Sequence, residues 1–288
     1  MMDLVSIILP SYNSQDTVGE AITSVLNQTY SNFELLIVDD CSSDQSLKII
    51  NKYTKDSRVF LYLNKNNFGP GSSRNFAIKK SKGSYICFLD SDDVWHPKKI
   101  ELQLKFMKSK NIQISNHFYR YFHFKSNKFF ISKQIECPEV INLIKYHKIR
   151  GLGYCLTFMV RSDLKNNLIF ESKKNSIAED FSAFAEILKL ANAYSIDNCL
   201  GYCRQSINSR SSGGTSLLSK LKLKFIFSVL LKYFQNFNIL FSFYLWLNYL
   251  VFSLKHLKHK SIIEPLFDND FEDLKVLNKN RAKYLKHF

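Results

Sequence analysis

The 288-residue chain predicts an α/β fold, a mostly parallel sheet flanked by helices, with a helical appendage at the C-terminal end. Three observations carry this expectation. Short apolar runs at residues 5–9, 33–38, 59–63 and 85–89 alternate with stretches of helical periodicity, which is the rhythm of successive βαβ units. The runs are dense in Val, Ile, Leu and Phe, as strands covered on both faces require. The first, second and fourth end abruptly in turn-forming or acidic residues, and ligands bind at the carboxyl edge of such sheets.

The first run has no basic stretch before it and is cut by Pro10, so it reads as a strand of the fold and not as a leader. Pro10-Ser11-Tyr12-Asn13 then forms a turn cluster. The following helix places Ala21, Ile22, Val25 and Leu26 on one side, with Thr17 and Glu20 at capping-box spacing. The second run ends in Asp39-Asp40-Cys41-Ser42-Ser43-Asp44. One of the leading aspartates is expected to cap the next helix, which runs to about Tyr53. Residues 64–73, rich in Asn and Gly, lead into a helix around residues 74–80, and Gly83 resets the chain for the fourth run.

That run enters Asp90-Ser91-Asp92-Asp93. Side chains two residues apart point the same way along an extended chain, so Asp90 and Asp92 can converge on one cation. Hard oxygen ligands suit Mg2+ or Mn2+, shared with substrate phosphates. Right-handed crossovers bring all these strand ends to one edge. Asn67-Phe68-Gly69-Pro70-Gly71 matches neither the dinucleotide nor the P-loop glycine pattern, which argues against a dinucleotide redox enzyme or a P-loop kinase.

Residues 97–109 read as a helix with Pro97 near its first position and Ile100, Leu104 and Met107 on one face. Residues 112–135 read as an aromatic hairpin turning at Lys125-Ser126-Asn127-Lys128, and residues 151–160 as a further strand. Phe181, Phe184, Leu188 and Ala191 share a helical face, so a helix starts near Glu179. The six cysteines, at 41, 87, 137, 155, 199 and 203, are scattered. They imply a reducing interior, without disulfides or structural zinc.

Basic residues outnumber acidic ones 40 to 25. Such an excess attracts nucleic acid, anionic lipid or acidic small molecules. Carboxylates at the strand ends would repel nucleic-acid phosphates, so no nucleic-acid partner is expected. Residues 216–260 are aromatic and basic, and 233–254 carry no charge between lysine-rich flanks. That stretch is long enough to span a bilayer, yet Gln235, Asn236, Asn238 and Asn248 interrupt it. An in-plane helix on anionic lipid is the expectation, with spanning and packing on the domain as the other outcomes. Residues 261–288 read as a charged tail.

Four blocks resemble family 2 glycosyltransferases of the GT-A fold. They run from Val5 to Asn13, from Val38 to Asp44, from Asn67 to Asn75, and from Phe88 to Pro97 through Leu89-Asp90-Ser91-Asp92-Asp93. The resemblance implies a GT-A domain over residues 1–215, with a nucleotide-sugar half at 1–108 and an acceptor half at 109–215. It implies inverting transfer of a hexosyl or N-acetylhexosaminyl group from a nucleotide-diphosphate donor such as a UDP-sugar. The acceptor would be a glycan or lipid-linked hydroxyl, in the building of a bacterial surface polysaccharide such as O-antigen or capsule. The enzyme would then be cytoplasmic, peripheral to the inner face of the membrane.

The same resemblance assigns residues. Tyr12 and Asp39 would hold the base, Asp40 or Asp90 the ribose, and Pro10, Asn13 and Ser91 would line the donor site. Asp92, with Asp90, would bind Mn2+ or Mg2+ on the diphosphate, and Arg74 would lie near the donor. In Ala178-Glu179-Asp180-Phe181, Asp180 resembles the catalytic base, with Glu179 as its acidic neighbour. Thr157 would face the acceptor side. Residues 202–214 resemble a loop over the diphosphate. Ser206 stands where relatives often have a histidine, so Arg204 or Arg210 would supply the positive charge. The competing expectations are a nucleotide-sugar sensor without transferase activity and, from the basic charge alone, a nucleic-acid-binding protein.

Overall fold

The computed structural model describes residues 2–125, 128–132, 134–148, 155–172 and 179–205. The expected appendage, the tail, Ser206 and Arg210 lie outside them. Among the described residues no helix is long and apolar enough to cross a membrane.

The first half is a regular βα progression: β1 (Val5–Ser11), α1 (Val18–Leu26), β2 (Phe33–Asp39), α2 (Ser46–Asn51), β3 (Val59–Leu63), α3 (Pro70–Lys80) and β4 (Tyr85–Phe88). Then come β5 (Val94–Trp95), α4 (Lys99–Lys110), β6 (Ile114–Lys125), β7 (Lys128–Ile131), β8 (Val140–Ile141) and α5 (Leu143–Lys148). The series ends with β9 (Met159–Arg161), α6 (Glu179–Ile187) and β10 (Ala193–Arg204). Among the described residues these make a ten-stranded sheet in the order β3-β2-β1-β4-β9-β6-β10-β5, with β7 on β6 and β8 on β10.

β1 pairs in parallel with β2 and β4, and β2 with β3. Antiparallel β9 then joins β4 to β6. The register sets Ser11 opposite Asp39, and Leu89 donates to the Ile8 carbonyl. The ends of β1, β2 and β4 therefore share one edge, as the crossover rule requires. Pro10 falls where β4 has already left the sheet, the kind of position that tolerates a missing N–H.

Alternation along β1 sends Val5, Ile7 and Leu9 into one core and Ile8 into the other. The first core takes the buried faces of α1 and α4, with Ile22, Val25, Ile100 and Leu104. The second takes Ala77 and Ile78 of α3 and Phe184 of α6. Phe184 stacks on Phe158 at 4.0 Å and meets Phe88 edge-on at 5.8 Å. Such pairs add about 0.5–1.5 kcal/mol each beyond area burial, and they fix α6 against the sheet.

Several local expectations are corrected. Thr17 makes no side-chain cap on α1, and Glu20 turns to Arg204 instead. Neither Asp39 nor Asp40 caps α2, whose Ser46 N–H goes to Asp44. Helix α3 starts at Pro70, four residues before the expected start. Gly69 has φ 89°, Pro70 presets the first helical residue, and Asp40 accepts the N–H groups of Phe68 and Gly69 at 3.1 and 2.7 Å.

The hairpin forms as expected, with Lys125 opposite Lys128. The strand expected over 151–160 is shorter. Cys155–Thr157 is a 3-10 helix and the strand begins at Met159. There Trp95 Nε1 and Gln103 Nε2 take the Leu156 and Thr157 carbonyls, in place of strand partners. Thr157 is fully buried in this turn and does not face solvent.

Candidate active site

Two loops are knitted together at the ends of β1 and β2. Asn13, at φ 45°, accepts the Ser43 N–H at 2.8 Å, and its own N–H goes to Ser42 Oγ. Asp39 accepts the Ser42 N–H and hydroxyl at 3.0 and 2.6 Å. Pro10 is buried beneath this rim and Tyr12 stands on it, 48 % exposed. Tyr12 therefore offers an open aromatic face above a fixed backbone.

Asp40 points elsewhere. It is buried and holds Asn64, Phe68 and Gly69. Three donors on one carboxylate make it the anchor of the α3 N-terminus.

The turn after β4 brings together Asp90, Asp92 and Asp93, with one ligand oxygen from each within 4.8 Å of the others. Asp90, Ser91 and Asp92 are half-buried and Asp93 is buried. Three close carboxylates form a donor set that fits a hard divalent ion. Asp93 was absent from the sequence expectation, although the Asp-Ser-Asp-Asp run was its signal. Burial first, then the charges of Asp92 and Asp90, push the Asp93 carboxyl well above the ordinary range. A cation at this point reverses the second cause.

Arg74 joins this turn to α6. Its Nη2 donates to Asp90 Oδ1 at 2.5 Å and its Nη1 to Glu179 Oε1 at 3.0 Å. The side chain is 4 % exposed and lies over the Phe170 ring at 5.2 Å. Asn75, on the same helix, exchanges hydrogen bonds with the Phe170 backbone at 2.7 and 2.8 Å. Gly71 lets that segment close in, since a Cβ there would stand 2.1 Å from the Glu171 carbonyl oxygen.

Glu179 and Asp180 open α6, where carboxylates favour the helix dipole. They are not equivalent. Glu179 is neutralised by Arg74, whereas the Asp180 carboxyl is pushed up to about 6 by burial and then by Glu179, against the pull of Arg74. A carboxylate with that affinity for protons can act as a general base near neutral pH. Arg204, expected near the donor, is held by the acidic turn, with its Nε on the Asp92 carbonyl at 2.8 Å. The structure thus brings together Arg74, Asp90, Asp92, Glu179 and Asp180, and separately Tyr12, Asn13 and Asp39.

Comparison with known proteins places this arrangement. Residues 6–167 match the family model described as Glycosyl transferase family 2. The UDP-Glc:alpha-D-GlcNAc-diphosphoundecaprenol beta-1,3-glucosyltransferase WfgD of Escherichia coli is 36% identical over 252 residues, 88% of this chain and 94% of that protein. The crystal structure of S. aureus TarS 1-349 in complex with UDP-GlcNAc superposes with a TM-score of 0.60 at 22% identity, over 80% of this chain and 67% of that one. The mannosyltransferase PcManGT of Pyrobaculum calidifontis, solved with GDP-Man and Mn2+, gives a TM-score of 0.55 at 14% identity, over 74% of this chain and 59% of that one. The chain belongs to glycosyl transferase family 2 and is a glycosyltransferase of the GT-A fold.

Proposed function

We propose that the protein is an inverting, metal-dependent transferase that moves a hexosyl or N-acetylhexosaminyl group from a UDP-sugar to a hydroxyl of a sugar-diphospholipid. The observation that carries this reading is the linkage of acidic turn to base. Asp90 binds Arg74, Arg74 binds Glu179, and Asp180 follows Glu179 with its proton affinity raised.

In this reading the rim of Tyr12, Asn13 and Asp39 receives the nucleotide base, and Asp40 shapes the wall beside the ribose. Asp90, Asp92 and Asp93 would hold Mn2+ or Mg2+. When bound, such an ion would supply positive charge to offset the charge that develops on the leaving nucleoside diphosphate. Arg74 occupies Glu179 in an ion pair, so that Asp180 is the one of the two poised to accept the acceptor hydroxyl's proton. The freed oxygen attacks the anomeric carbon in line as the sugar–phosphate bond breaks, which inverts the centre and needs no covalent enzyme intermediate.

UDP is supported as the nucleotide by the TarS complex, and a lipid-linked acceptor by the printed activity of the Escherichia coli relative. Such an acceptor and the basic chain together support attachment at the inner face of the membrane. The direct experiment supplies UDP-glucose, UDP-galactose and UDP-GlcNAc in turn, with Mn2+ and a synthetic GlcNAc-diphospholipid, and measures UDP release. Release that needs both substrates supports the reading. Tight sugar-nucleotide binding without release, with every donor and acceptor, would make the protein a sensor.

A further inference from the structure

Arg204 and Glu20 form a contact that the transfer mechanism above does not use. Arg204 ends β10, which lies beyond β9 and β6 from β4 in the sheet. It nonetheless grips the turn that follows β4 at two points. Its backbone N–H donates to Asp93 Oδ1 and its Nε to the Asp92 carbonyl, both at 2.8 Å. Its Nη2 pairs with Glu20 Oε2 of α1, and its guanidinium lies 4.5 Å over the Phe122 ring. The Arg204 and Glu20 side chains are 8% and 17% exposed.

These contacts divide the labour. A carbonyl bonded to Nε fixes the Asp92 peptide plane, and with it the direction in which the Asp92 side chain leaves the turn. The N–H bond on Asp93 fixes the next residue. The Asp93 bond comes from the main chain and survives any side-chain replacement. The Asp92 carbonyl and Glu20 are held at once by two nitrogens of one guanidinium, so for these the planar fork of an arginine is needed and a point charge would not serve. Glu20 supplies the negative charge without which a guanidinium buried against Phe122 would be costly.

We infer that Glu20 and Arg204 are positioning residues for the cation site, a clamp reaching from α1 and β10 that holds Asp92 and Asp93 in their ligand geometry before the ion arrives. The inference rests on the reading of Asp90, Asp92 and Asp93 as that site. Groups that orient metal ligands typically change metal affinity about 10–100-fold when removed.

The test is a titration of the full chain with Mn2+ in the presence of UDP, following free Mn2+ by EPR, beside a titration with UDP alone in EDTA. Wild type, Asp92→Asn, Glu20→Ala, Glu20→Gln and Arg204→Lys are compared, each checked for folding by circular dichroism. Glu20→Ala and Arg204→Lys are expected to weaken Mn2+ binding about 10–100-fold and leave UDP affinity in EDTA unchanged. Glu20→Gln keeps an acceptor oxygen and should fall between them and wild type. If Glu20→Ala does not fold, Glu20→Gln and Arg204→Lys carry the comparison. Wild-type Mn2+ affinity in the folded variants would overturn the clamp. So would an equal loss of UDP affinity in EDTA, which would put Arg204 on the nucleotide. If Mn2+ binds neither wild type nor Asp92→Asn, the cation-site reading itself fails and the clamp with it.

Discussion

The guanidinium of Arg74 holds Glu179 Oε1 at 3.0 Å across 105 residues of sequence, and the same guanidinium holds Asp90. One side chain thereby couples the end of β4 to the start of α6. Its consequences for charge run in two directions. Glu179 is neutralised where it stands, and Asp180 is left as the carboxylate with raised proton affinity.

Replacing Arg74 should therefore be costly. Arg74→Met leaves Glu179, 11% exposed, without its partner, and breaking a buried pair from one side costs about 3–5 kcal/mol. Urea denaturation at neutral pH measures this, with Glu179→Gln expected to lose less because it removes the charge as well as the bond. An Arg74→Met protein within about 0.5 kcal/mol of wild type would mean that the pair is solvated and does not organise the site.

The pH dependence follows from Asp180. A base with its carboxyl at about 6 gives kcat/KM a tenfold loss per pH unit below that point. The effect on stability has the opposite sense. Between the ordinary 3.8 and about 6 the folded state keeps a proton that the unfolded chain has released, so this group's contribution falls as pH rises through that window. Above it the full penalty stands, on the order of 2–3 kcal/mol. Asp180→Asn should thus gain stability over wild type at pH 7.5, and the gain should shrink towards pH 4. An activity limb below pH 5 would contradict the assignment of the base.

The close approach at Gly71 gives a test away from the chemistry. Gly71→Ala drives a methyl into the Glu171 carbonyl oxygen, between backbones already tied by Asn75. A loss of about 1–3 kcal/mol is expected, together with a fall in kcat, because the segment leads to Glu179. Gly19→Ala is the control. Its methyl would meet the Tyr53 hydroxyl at 3.3 Å, a side chain that can give way, and helix propensity favours alanine. Equal effects at both positions would remove the special role of Gly71.

The strand ends were legible because each is a local event. An apolar run stops, a turn begins, and parallel pairing brings the stops of β1, β2 and β4 to one edge. The rest depends on partners far along the chain. Arg74 resembles a solvated helix cation until Asp90 and Glu179 arrive from other elements. Lys99 reads as a surface residue of α4, yet it is fully buried with Nζ 3.8 Å from the Trp95 ring centroid. Glu20 has capping spacing, but Arg204 captures it from the end of β10. The start of α3 was missed because Asp40, 29 residues upstream of Gly69, sets it. Periodicity registers which face of an element is apolar and is silent about which charge will be paired across the sheet.

The separation of donor binding from proton transfer tests the central claim most directly. UDP binding with Mn2+ and sugar transfer to a lipid-linked acceptor are measured side by side for wild type, Asp92→Ala and Asp180→Asn. Loss of metal-dependent UDP binding in Asp92→Ala is predicted, with retention of binding and a fall in kcat of at least about 100-fold in Asp180→Asn. Transfer at the wild-type rate by Asp180→Asn would contradict the account, since α6 would then hold no base.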